Sequence, residues 1–106
     1  MTSEKLTALR QEIQTYLSGS LLPFWIQRTV DKENGGFITH FDQFGKDSGE
    51  DEKSLIAQSR SVFTYSSAVR AGYDTDGTLA EMARQGVDYL IDKMWDNEYG
   101  GFFWMT

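Results

Sequence analysis

The sequence predicts an all-α fold carrying short β-ribbons, laid out as a helical repeat. Two observations support that class. First, apolar residues recur at helical spacing over three separate stretches. Second, the element "DKENGGF" (Asp31 to Phe37) returns as "DNEYGGF" (Asp96 to Phe102), matching at five of seven positions after 65 residues. A repeat of that period containing a helix pair is typical of stacked units that bury their faces against neighbours.

From Ser3 to Leu17, apolar side chains fall at Leu6, Leu9, Ile13, Tyr16 and Leu17, one face of a helix. "SGS" at 18–20 and Pro23 interrupt it. Pro23 suits the first turn of a continuing helical piece with Phe24, Trp25 and Ile26. Asn34-Gly35-Gly36 supplies a turn, after which "GFITHFDQFGK" alternates like a hairpin or ribbon closed at Gly45. Residues 46–53 read as a solvated loop.

A second helix is expected from about Glu52 to Ala71, with Leu55, Ile56, Ser59, Val62, Phe63, Ser66 and Val69 on one side. The small and polar members of that stripe are unusual for a simple core face. "AGYDTDG" breaks the helix. A third helix, 76–94, opens at Thr78-Leu79-Ala80-Glu81, a capping-box pattern. Its apolar stripe runs through Leu79, Met82, Ala83, Val87, Leu90, Ile91 and Met94. The second copy of the turn then leads into "GFFWMT", where a strand should be meeting its partner. With no cap on this last unit, residues 1–106 are expected to be the amino-terminal part of a larger single domain. The ribbon from Gly100 is expected to leave an open strand edge that favours self-association.

Composition narrows the function classes. The formal charge of −6 opposes nucleic acid and anionic membranes as partners. With no cysteine, disulfides, thiolate metal sites and a cysteine nucleophile are excluded. The amino terminus is charged and amphipathic, unlike a signal peptide, and a cytoplasmic protein is expected. Asp31, Glu33, Asp96 and Glu98 do not complete a calcium loop. Counted from Asp31, position twelve is Asp42, where an EF-hand needs glutamate. Turn formation is the better account of both copies, with the glycines supplying positive φ. No metal and no cofactor are expected.

Taken together, "LLPFWIQRTVDKENGGFITHFDQFGK", "AQSR" and "MWDNEYGGFFWM" resemble the N-acylglucosamine 2-epimerase family, which includes cellobiose 2-epimerases and mannose isomerases. The resemblance covers essentially the whole chain. It implies the amino-terminal segment of an (α/α)6 barrel, with residues 52–71 as the first inner helix and 76–94 as the next outer one. It also implies proton abstraction beside a sugar aldehyde, through an enediolate, on a small-molecule sugar substrate. Two histidines on later inner helices do the proton work in that family, so the 106 residues alone are expected to be inactive.

Arg60 matches the family's arginine after Gln58 and Ser59, and a planar guanidinium suits an oxygen that gains negative charge. Otherwise it is a surface arginine or an ion-pair partner of Asp42 or Glu52. Phe103 and Trp104 are the expected substrate-binding aromatics, since aromatic faces stack on the C–H face of a sugar. The bland reading is ribbon-to-helix packing. Many members of the family carry tyrosine where Phe103 stands. Trp25 and Trp95, at helix ends, read as core. His40, the only histidine, lies on the first ribbon and matches no catalytic position. The alternatives to an epimerase are a non-catalytic carbohydrate-binding module and a helical-repeat interaction protein.

Overall fold

A computed structural model describes residues 2–106. Helix α1 spans Ser3–Tyr16 and is capped by Thr2, whose side chain accepts the Lys5 amide at 3.2 Å. The expected interruption at 18–20 is a π-helical turn, Leu17–Leu21, which runs directly into α2, Leu22–Arg28. The wider turn places the Leu22 amide on the Leu17 carbonyl. It shifts the hydrogen-bond register just before Pro23, which has no N–H to donate. Among the described residues the stripe of α1 is open: Leu6, Leu9, Ile13 and Tyr16 are all exposed.

The second helix, α3, is Leu55–Arg70, starting at the first residue of its apolar stripe, three residues later than the expected Glu52. Ser54 sets the start by accepting the Ala57 amide at 3.1 Å. The next helix, α4, is Thr78–Tyr89 and continues as a second π-helical turn, Leu90–Met94. The capping box at Thr78 and Glu81 is not formed. Asp76 accepts the Thr78 amide, and Asp74 accepts those of Leu79 and Ala80 at 3.1 and 3.2 Å. Two carboxylates arriving from the preceding loop satisfy the orphan donors first, and their charge also suits a helix N-terminus. The Thr78 hydroxyl and amide hold Asp76 below its ordinary pKa.

Helices α3 and α4 pack together, and α2 joins them. The core holds Leu22, Phe37, Tyr65, Leu79, Met82 and Ala83. On α4 the buried stripe passes through Gly86 and Tyr89. Val87 and Ile91, expected inside, are exposed. Gly86 is why: a Cβ there would lie 2.6 Å from the Phe37 ring and 2.7 Å from Val62. Close approach of α4 to α3 needs the missing side chain, and a hydropathy pattern gives glycine no weight.

The ribbons are isolated antiparallel bridges: Val30 with Phe37, Phe41 with Asp47, Trp95 with Phe102, and Ser54 with Met105. The last of these corrects the expected open edge. Residues 104–106 have a backbone partner in 53–55: the Lys53 and Thr106 amides donate to each other's carbonyls at 3.1 and 2.9 Å.

Candidate functional site

Both copies of the repeated element fold by the same local rules. Asp31 accepts the amides of Glu33 and Asn34 at 3.1 and 3.0 Å, and Asp96 those of Glu98 and Tyr99 at 2.9 and 3.1 Å. Both glycines of each pair have positive φ: +80° and +72° at Gly35 and Gly36, +77° and +78° at Gly100 and Gly101. The next bond matches as well, Ile38 N–H to Thr29 and Phe103 N–H to Met94. The carboxylates thus close turns, and among the described residues no group of three or more His, Cys, Asp or Glu is placed to hold a metal ion.

Tertiary surroundings separate the copies. Phe37 is fully buried, and Gln58 brackets its peptide, accepting the Phe37 N–H at 2.8 Å and donating to its carbonyl at 2.9 Å. Gln85 brackets Gly36 in the same way at 3.0 and 3.2 Å. The Tyr89 ring lies against Gly35 and Gly36. Asp31 is buried and accepts from Lys53 Nζ at 2.7 Å, while the Lys53 ammonium stands 5.7 Å above the Tyr89 ring centroid. Burial pushes the Asp31 carboxyl up. The Lys53 hydrogen bond and charge, with the Asn34 and Glu33 amides, outweigh it and hold the pKa below its ordinary value. Burial pushes the Tyr65 phenol up, opposed by its hydrogen bond with the Thr29 hydroxyl at 2.9 Å.

Arg60 is exposed on the side of α3 that carries exposed Ile56 and Phe63, whereas Gln58 and Tyr65 are buried in the opposite direction. The expected stripe of α3 therefore divides, with Val62 and Val69 packed on the core, Leu55 half-buried, and Ile56, Ser59, Phe63 and Ser66 open. Arg60 lines a cleft of about 370 Å³ between the first π-helical turn, α2 and α3, with Trp25, Ile38, Thr39 and Tyr65 also in its wall. Among the described residues the ion pairs are Asp31–Lys53 and His40–Glu50, so Arg60 pairs with neither Asp42 nor Glu52.

Phe103 and Trp104 are about half-exposed and do not line that cleft. The Trp104 carbonyl accepts the Leu55 amide at 2.9 Å, placing this segment across the N-terminal end of α3. Arg60 lies five residues further along, about 7.5 Å of helix rise. Trp25 packs edge-on to Phe24 and Phe41 beside the core. Trp95 is exposed, with the Phe102 ring near-perpendicular to it at a centroid distance of 5.2 Å, so its core assignment is corrected. His40 has a carboxylate the sequence did not suggest, Glu50 at 3.4 Å. Lys53, Gln58, Gln85 and Tyr89 went unrecognised as organising residues. The one available signal was Gln58 standing inside "AQSR", next to Arg60.

The family profile of N-acylglucosamine 2-epimerase (GlcNAc 2-epimerase) matches residues 36–106. A cellobiose 2-epimerase from Bacteroides fragilis is 38% identical over an alignment covering 91% of this chain and 24% of that protein. A mannose-6-phosphate isomerase from Rhizobium meliloti is 34% identical, with 87% and 22% covered. The structure of cellobiose 2-epimerase from Spirochaeta thermophila superposes with a TM-score of 0.85 at 25% identity, covering 98% of this chain and 25% of that one. A sugar epimerase from a ruminal bacterium gives a TM-score of 0.79 at 29% identity, with 91% and 24% covered. This chain therefore spans about a quarter of the length of its relatives, and its fold is that of a segment of an α/α barrel.

Proposed function

The chain belongs to the N-acylglucosamine 2-epimerase family, and from that premise we propose that it serves a carbohydrate epimerase or isomerase working through an enediolate. A base removes the proton from the carbon beside the aldehyde, and the electron pair moves onto the carbonyl oxygen. Reprotonation of the same carbon from the other face gives the epimer. Reprotonation of the former aldehyde carbon, with the 2-hydroxyl proton passing to the former carbonyl oxygen, gives the ketose. Both outcomes need a cationic donor where the oxygen gains charge.

Arg60 is that donor in this reading, and Phe103 and Trp104 stack on the sugar. The observation that carries the assignment is the open guanidinium: exposed, bordering a cleft, and in neither ion pair of the described residues. The base is not assigned within these residues, because the single imidazole, His40, faces Glu50 on the first ribbon. Small-molecule sugars are the proposed substrates, with cellobiose and mannose the first to try.

The test is solvent-deuterium exchange at C2 of the sugar together with turnover. The 106 residues alone should give no exchange. In an active protein containing this segment, Arg60→Ala should lower kcat by about 10²–10³ with little change in KM, because the donor acts on charge present only in the transition state. Arg60→Lys should recover part of the loss, since it keeps the charge without the planar fork. Unchanged kcat/KM in Arg60→Ala would make Arg60 an ordinary surface arginine.

A further inference from the structure

Residues 102–106 are exposed throughout, yet they hold one defined course across the start of α3. The second turn itself holds Phe102 and Phe103, through the bridge to Trp95 and the Phe103 N–H to Met94 bond, and beyond those, few interactions hold the segment there. The backbone pairs with 53–55: Lys53 N–H to Thr106, Thr106 N–H to Lys53, and Leu55 N–H to Trp104. The Thr106 hydroxyl also meets the Tyr89 hydroxyl. The bonds of Trp104 and Thr106 depend on where residue 53 and Tyr89 stand, and residues 46–52 leading into Lys53 are exposed.

Lys53 is anchored from the other side. Its side chain turns inward, where it is buried, bonds Asp31 at 2.7 Å and lies over the Tyr89 ring. Tyr89 in turn rests on Gly35 and Gly36 of the first turn. We infer that Lys53 is a positioning residue: through its ion pair with Asp31 it fixes the strand on which Phe103 and Trp104 are carried, tying the first repeated turn to the second. The functional consequence of this, sugar held in register with Arg60, rests on the role proposed above for those aromatics.

The structural half can be tested without any sugar, by amide hydrogen exchange in the 106-residue chain. The decisive variant is the double substitution Asp31→Asn with Lys53→Met, which removes both charges and leaves neither buried alone. The amide oxygen that Asp31→Asn leaves in place can still accept the Glu33 and Asn34 amides. Exchange at Leu55 and Thr106 should rise roughly ten-fold or more, while Phe37, bonded to Gln58, keeps its protection. Lys53→Arg should retain protection at Leu55 and Thr106. If the double variant leaves those two amides protected, or if all amides including Phe37 are lost together, the positioning role is wrong.

Turnover then tests the functional half, in an active protein containing the segment. The double variant Asp31→Asn with Lys53→Met should raise KM several-fold with kcat nearly unchanged, in parallel with Trp104→Ala. If Trp104→Ala changes neither constant, the stacking role fails while the exchange result stands. If Trp104→Ala raises KM and the double variant does not, the positioning role fails and stacking survives.

Discussion

The two copies of the seven-residue turn are nearly the same object in two settings. Each has an aspartate accepting two amides, two glycines at positive φ, and a phenylalanine bridged to the residue before the aspartate. Around the first copy stand Gln58, Gln85, Tyr89 and Lys53. Around the second there is open space: a Cβ on Gly100 or Gly101 would meet nothing within 4 Å, and Phe102 is 48% exposed against 0% for Phe37. The same local code thus yields a clamped core element in one place and a surface turn in the other. Turn geometry comes from the seven residues themselves. Stability and function come from what surrounds them.

The largest contrast should come from the phenylalanines. Phe37→Ala removes a fully buried ring that packs on Tyr65 at a centroid distance of 5.2 Å, and should cost about 3–5 kcal/mol. Phe102→Ala removes a half-exposed ring and should cost about 1 kcal/mol or less. Urea titration of the two variants measures this directly. Equal losses would mean that the second turn is covered in solution.

The glycines should give the next contrast. Alanine at either Gly36 or Gly101 meets an unfavourable φ, worth about 1–2 kcal/mol. At Gly36 the new Cβ would also stand 2.7 Å from Gln58 Oε1 and 3.0 Å from the Tyr89 ring, displacing the clamp. Gly36→Ala should therefore destabilise by roughly 3 kcal/mol or more, and Gly101→Ala by only the backbone strain. A thermal melt in which both variants shift equally would show that the clamp has room to move.

The aspartates should differ at neutral pH, and the difference should fade in acid. Because the folded pKa of Asp31 lies below its unfolded value, its contribution is complete above about pH 4. It is lost as pH falls through the folded value. The stability advantage of wild type over Asp31→Asn should therefore shrink as pH falls below about 4. Asp96 has no lysine partner among the described residues, so the advantage over Asp96→Asn should be smaller at neutral pH. Chemical denaturation from neutral pH into acid checks both.

What the sequence determined by itself was local or periodic. The helices at Ser3–Tyr16, Leu55–Arg70 and Thr78–Tyr89 follow from apolar spacing, and both turns follow from aspartate and paired glycine within seven residues. "AQSR" and the two aromatic motifs pointed to the family. Tertiary structure decided the rest, because those choices join residues far apart in the chain. Gln58 and Gln85 reach the first turn across 21 and 49 residues, and Thr106 meets Lys53 across 53. Gly86, silent in any hydropathy pattern, admits the Phe37 ring and turns Val87 and Ile91 outward. At the start of α4, Asp74 and Asp76 displace the capping box because their loop delivers two carboxylates to the same amides. A turn needs only its own residues to close, whereas burial and pairing are competitions among distant groups for the same space and the same donors.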